Sequence, residues 1–352
     1  MGSKARQLIR DVRANPWRAL TWRSCRDAAA GEVLAQMIDE AIFEMKSLEA
    51  IKLACLYQGL AIEIGADHLK CKAEACLGSA LRGLGLLEEA SQQMQRAEEL
   101  AAGCDDCLSN LYWRWGVVSC HQMARERGLS LLDRALMHAE KVGDDRCTTN
   151  VLLYRSWAHG YFHNAAAGFE DVKRAIGLIT PEMPSRCLLT AAVNVLALAV
   201  GLGDEAEIRA AVRMIEELKT LAKGLQAHAK ARPMLRWIRG LGYEKQGDVK
   251  EAVRALESAI RGLERFEMLT EKKAAMADLA RIRRKGKQLE TNDRHIRRLI
   301  EECLRLEQDP ATVKVLERAR REPSEQNLLA WRFKLPSRVP ALEPVPSAGV
   351  IA

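Results

Sequence analysis

Residues 103–116 read "GCDDCLSNLYWRWG". In isolation this stretch offers half of a metal site, Cys104-x-x-Cys107, and an aromatic platform, Trp113 and Trp115. The comparison that decides between these readings is with "GDDRCTTNVLLYRSW" at 143–157. Both segments place Cys-x-x-Asn after a Gly/Asp-rich turn, and Cys107 and Cys147 are 40 positions apart. Forty positions later stands Cys187, again after a turn, in "TPEMPSRC". The cysteine marks a repeat position, and self-similarity at such a period is the signature of stacked supersecondary units.

Working outward, the repeat is helical. No proline occurs between Pro16 and Pro181, and a proline inside a helix costs about 3 kcal/mol. Apolar residues recur at i, i+3, i+4 and i+7 in "LLEEASQQMQRAEEL" and "VKEAVRALESAIRGLERF", the period of an amphipathic helix. Strand-like alternation is nowhere sustained. The chain is expected to be all-α. One unit carries Leu77, Gly78, Leu81, Ala90, Met94 and Ala97; the next carries Tyr112, Trp115, Gly116, Gly128, Leu132 and Ala135; another carries Gly240, Tyr243, Ala252, Leu256 and Ala259. Weaker units fall around Ser156, Gly168 and Ala175, around Val195, Ile208 and Val212, and around Leu34, Met37, Ala41 and Ala50. The small residues predict close approach of two helices, to about 8–10 Å.

This pattern of small residues midway along one helix and early in the next resembles the tetratricopeptide (TPR) repeat. The marker positions Ala50, Ala90, Gly128, Gly168, Ile208 and Ala252 are spaced 40, 38, 40, 40 and 44 apart, as in the long-helix TPR arrays of bacterial regulatory proteins. The resemblance implies a right-handed α-α superhelical solenoid. Residues 1–30 would be an N-terminal cap, 31–266 about six repeats, 267–322 a basic C-terminal repeat or cap, and 323–352 a Pro-rich flexible tail. It also implies which residues face inward from the first helix of each unit. Lys72, Asn110 and Asn150 take the second position of their unit, Trp113 and Trp237 the fifth, Trp157 the ninth, Arg82 the twelfth, and His121, Tyr161 and Lys245 the thirteenth. Large aromatics with Asn and Arg suit a protein-binding groove. Trp115, at a packing position, belongs to the core.

Composition narrows the function classes. The ten cysteines accompany an N-terminus without an apolar signal region, which predicts reduced thiols and a cytoplasmic setting. No run of about 18 uncharged apolar residues suggests a membrane span. Cys104 and Cys107 lack a second close ligand pair, so no metal and no cofactor is expected. The seven histidines are scattered, with no HExxH, GxSxG or GxxxxGK[ST] motif, so no catalytic residues are assigned. "AHGYFHN" sets His159 and His163 at i and i+4, a spacing that could put two imidazoles on one helix face.

Charge is uneven. Residues 219–321 carry 26 Lys and Arg against 15 Asp and Glu within a net charge of +7. "RIRRKGK" and "RHIRR" place Arg281, Arg283, Arg284, Lys285, Lys287, Arg294, Arg297 and Arg298 on two predicted helices, a possible phosphate-binding surface. Glu301, Glu302 and Glu307 follow at once, as on a solvated cap. The expected function is therefore a non-enzymatic adaptor that binds a protein or peptide segment in a concave groove. The alternative is a regulator touching nucleic acid through the basic helices. "LLAWRFKLP" (328–336) is a candidate intramolecular plug for the groove.

Overall fold

A computed structural model describes residues 28–43, 46–101, 103–221, 226–266, 268–284, 289–307 and 310–334. They form sixteen helices: α1 (Ala28–Phe43), α2 (Ser47–Ile64), α3 (Asp67–Arg82), α4 (Leu87–Leu100), α5 (Asp105–His121), α6 (Arg125–Val142), α7 (Asp145–Tyr161), α8 (Ala165–Leu178), α9 (Ser185–Leu202), α10 (Glu205–Leu221), α11 (Gln226–Lys245), α12 (Val249–Arg265), α13 (Leu269–Arg284), α14 (Leu289–Leu306), α15 (Pro310–Arg321) and α16 (Glu325–Lys334). The described chain is all-α and solenoid-like, with helices packing on their neighbours in sequence order.

The chain divides into two compact units, Met1–Ala158 and His159–Ala352. In unit 1, α1·α2, α3·α4 and α5·α6 are antiparallel-type pairs, and α1·α3 and α3·α5 pack as a row of first helices. In unit 2, α9·α10, α11·α12 and α13·α14 pair, and α9·α11 and α11·α13 make the corresponding row.

The repeat has one recurrent contact. A Cβ at Gly78 would lie 2.7 Å from Met94 Cε and 3.0 Å from the Ala90 carbonyl. At Gly116 it would lie 2.7 Å from Leu132 Cγ and 3.0 Å from the Gly128 carbonyl, and at Gly240 it would collide with Leu256 Cδ1 and lie 3.2 Å from the Ala252 carbonyl. In each pair the backbone of the first helix rests on the first turn of the second, over a leucine or methionine one turn further on. Only a residue without Cβ admits that approach.

The turns between paired helices repeat as well. Gly85, Met123, His163 and Gly247 all have φ between +59° and +82°, and in each the amide two residues before the next helix closes back on the first helix. Two of the second helices, α8 and α12, begin on side-chain caps. Asn164 Oδ1 accepts from Ala167 N, and Asp248 Oδ1 from Glu251 N. At α5 the cap is Cys104, whose Sγ accepts from Cys107 N across 3.4 Å. That is the role of the first thiol in the Cys104-x-x-Cys107 spacing.

Candidate functional site

Cys107 is fully buried, with its Sγ 3.7 Å from the His68 carbonyl on α3. Cys147, one repeat on, stands 3.2 Å from Ser109 Oγ. Cys107 and Cys147 thus pack against the N-terminal part of the preceding first helix. Among the described residues no three His, Cys, Asp or Glu side chains are grouped to hold a metal ion. His159 and His163 do not share a helix face: α7 ends at Tyr161, and His163 is the left-handed turn residue, exposed, while His159 Nε2 lies 3.8 Å from Asp171 Oδ2.

The inward residues of unit 1 divide into a charge network and an aromatic group. Lys72 on α3 sits between Glu32 of α1 at 2.6 Å and Asp106 of α5 at 2.8 Å, its side chain largely covered. Burial alone would lower its pKa, but the two carboxylates hold the ammonium above its ordinary value. The charge of Lys72, a residue expected to face inward, is balanced by its own chain. Arg114, 1% exposed, repeats the arrangement at the next level. It pairs with Asp39 Oδ1 at 2.8 Å, donates to Asn110 Oδ1 at 3.0 Å and reaches Ser79 Oγ at 3.3 Å. Asn110 is therefore partly engaged inside the protein. Asn150, one repeat later, is half-buried and its amide has no hydrogen bond among the described residues.

The aromatic group lies toward the C-terminal ends of the same helices. Trp113 is 6% exposed, stacked on Tyr154 with centroids 4.4 Å apart and covered by the Arg114 guanidinium at 4.3 Å. Trp113 is a wall component, not an open face. Trp157 is half-buried and stacks on His121 at 5.5 Å. His121 Nε2 in turn stands 3.2 Å from Arg82 Nη1. Burial first, and the Arg82 charge second, push the His121 pKa down to about 3, so at neutral pH the imidazole is uncharged and Nε2 accepts. The structure thus gathers Arg82 of α3, His121 of α5 and Trp157 of α7 in one line. Tyr154 adds to the site although sequence spacing gave no signal for it.

The remaining expected groove residues lie in unit 2. Tyr161 is half-buried and meets Phe162 edge-on at 5.2 Å. Lys245 is exposed, its Nζ 3.5 Å from the Gly201 carbonyl. Trp237 departs from expectation. It is 0% exposed, donates its indole N–H to Asp278 Oδ2 at 2.9 Å, and lies under the Arg332 guanidinium at 5.4 Å. It is a core residue here because α16 covers it: Arg332 Nε donates to the same Asp278 oxygen at 3.0 Å, and Trp331 beside it is fully buried. Residues 328–334 of the segment expected as a plug lie in α16, which packs on α13 and α15.

The basic surface is also smaller than the sequence suggests. Arg281 is 2% exposed and makes a two-pronged pair with Glu244 at 2.5 and 2.6 Å. Arg283 pairs with Glu257 on α12, and Arg284 is half-buried. Arg281 and Arg283 are removed from an open phosphate-binding face because neighbouring helices supply their counter-ions. Arg294, Arg297 and Arg298 on α14 are exposed. Lys285 and Lys287 lie outside the described residues, as do residues 1–27 and 335–352.

No protein-family model matches the chain. No curated protein matches it either. Among solved structures, a circular tandem repeat protein with novel repeat topology and enhanced subunit contact surfaces is similar at 14% identity, over 94% of this chain and 90% of that one, with a TM-score of 0.25. No helix among the described residues is long and apolar enough to cross a membrane.

Proposed function

We propose that this chain is a cytoplasmic, non-enzymatic adaptor built from TPR-like repeats, which binds a partner segment along the inward faces of α3, α5 and α7. The observation that carries this reading is the line Arg82–His121–Trp157, drawn from three successive first helices, with the Asn150 amide, which has no hydrogen bond among the described residues, on the same helix as Trp157. An aromatic surface, an amide and a cation supply the anchoring area, backbone recognition and orientation that an extended segment needs. Trp113, Tyr154 and Arg114 hold the wall of the site in place rather than touching the ligand.

The test is affinity capture from native lysate with the wild-type chain and with Trp157→Ala/Asn150→Ala, with and without nuclease, identified by mass spectrometry. The double variant should keep the wild-type far-UV circular dichroism and lose a partner that survives nuclease. Equal capture by both proteins defeats the reading. A second reading, contact with nucleic acid, rests on exposed Arg294, Arg297 and Arg298. It predicts binding that weakens steeply with salt and is lost on reversing those three charges.

A further inference from the structure

The cations of the unit 1 inward face differ in one respect. Lys72 has Glu32 and Asp106, and Arg114 has Asp39. Among the described residues Arg82 has no carboxylate within ion-pair distance, and its one side-chain hydrogen bond is to the neutral Nε2 of His121. Asp39, an acid that influences it, is held by Arg114. A guanidinium has five N–H donors and stays charged in proteins, so Arg82 keeps a full charge and most of its donors unfilled. Burial disfavours that charge and lowers its pKa, which is the cost of desolvation without a counter-ion. The side chain is nonetheless only half-buried, and a ligand can reach it.

Resting on the peptide-binding reading of unit 1, we infer that Arg82 is an anchor for one carboxylate, the side chain of an Asp or Glu in the bound segment, with the residue beside it laid on Trp157. Two parallel N–H···O bonds from a guanidinium match a carboxylate in geometry. The count of charges favours a carboxylate over a phosphate. Arg82 and Arg114 against Asp39 leave one net positive charge, whereas a phosphate group brings about −1.5 to −2 at neutral pH, and Lys72 is already neutralised. His121 completes the site as an uncharged acceptor that orients one edge of the guanidinium and leaves the other to the ligand. The chain's own residues 1–27 carry seven Lys and Arg against Asp11 and Asp27, the wrong sign to fill it.

The experiment uses the full-length chain and fluorescein-labelled twelve-residue peptides from an array, each with a central Glu flanked by Leu or Phe, and each paired with its Gln counterpart. Fluorescence anisotropy should show Glu peptides binding about tenfold more tightly than their Gln partners. Arg82→Gln, which can still donate to His121 Nε2, should erase that difference with unchanged circular dichroism. Arg82→Lys should keep part of it, and Arg96→Gln, on the exposed side of α4, all of it. Equal binding of Glu and Gln peptides to the wild type overturns the inference while leaving the groove in place, as does a Glu preference that survives Arg82→Gln. Failure of every peptide to bind removes the groove reading and this inference with it.

Discussion

Trp237 gives its indole N–H to Asp278 across 2.9 Å, with the two side chains 0% and 3% exposed. The same carboxylate oxygen receives Arg332 Nε from α16, so one buried acid joins α11, α13 and α16. Asp278→Ala would strand an indole N–H and a buried guanidinium together, and breaking a buried ion pair from one side costs about 3–5 kcal/mol. Urea denaturation should show a lower midpoint of that order. Arg332→Ala should cost less, because Asp278 keeps Trp237 and lies 4.0 Å from Arg281. A wild-type midpoint for Asp278→Ala would show that α16 does not hold this site.

The contacts that sequence spacing made legible are those inside one repeat. Gly78/Ala90/Met94, Gly116/Gly128/Leu132 and Gly240/Ala252/Leu256 stand at the same offsets in sequence and make the same contact in space, because a two-helix unit is set by local chemistry. The illegible features cross repeats. Trp237 occupies an inward register, and only a helix more than eighty residues later decides that it is covered. Arg281 reads as a surface cation until Glu244, 37 positions earlier, is brought beside it on the neighbouring first helix. The i, i+4 reading of His159 and His163 failed for a smaller reason: the turn consumed His163 before the helix could place it.

The repeat contact predicts opposite signs for one substitution at two kinds of site. Gly116→Ala puts a methyl 2.7 Å from Leu132 Cγ and 3.0 Å from the Gly128 carbonyl, and overpacking of this sort costs about 1–3 kcal/mol. That exceeds the roughly 1 kcal/mol that alanine gains over glycine in a helix. Gly177 in α8 is exposed with nothing within 4 Å of the added carbon, so Gly177→Ala should stabilise by about 0.5–1 kcal/mol. Thermal denaturation of the two variants should move the midpoint in opposite directions. Stabilisation by Gly116→Ala would mean that the helices of that pair are not held at the described distance.

Thiol chemistry should sort the cysteines by burial. Cys55 is exposed, whereas Cys76 is held by burial at a pKa of about 11, and Cys120 and Cys303 at about 12. Since the thiolate is the reactive form, brief maleimide treatment at pH 7.5 should label Cys55 well before those three, as mapped by peptide mass spectrometry. Labelling of Cys76, Cys120 or Cys303 at the Cys55 rate in the folded protein would contradict their packing.

The neutral state of His121 predicts a pH dependence with a defined sign and window. Its folded pKa is depressed from 6.5 to about 3, by burial and then by Arg82. Between those values the unfolded chain holds a proton on this imidazole and the folded chain does not, so unfolding takes up a proton and stability falls as pH falls. At about 1.4 kcal/mol per pH unit, the loss attributable to this group between pH 6.5 and 4.5 is about 2–3 kcal/mol. Asp105, whose pKa is lowered by its hydrogen bond to His138, also loses its contribution in acid, but only as pH falls into the carboxylate range, below that window. His121→Gln offers Arg82 an amide oxygen and removes the titration. Urea denaturation at pH 6.5 and 4.5 should therefore show a smaller drop for His121→Gln than for the wild type, by that amount. Equal drops would mean that the imidazole takes up its proton in the folded protein, placing a second positive charge beside Arg82 and strengthening the site's demand for an anion in mild acid.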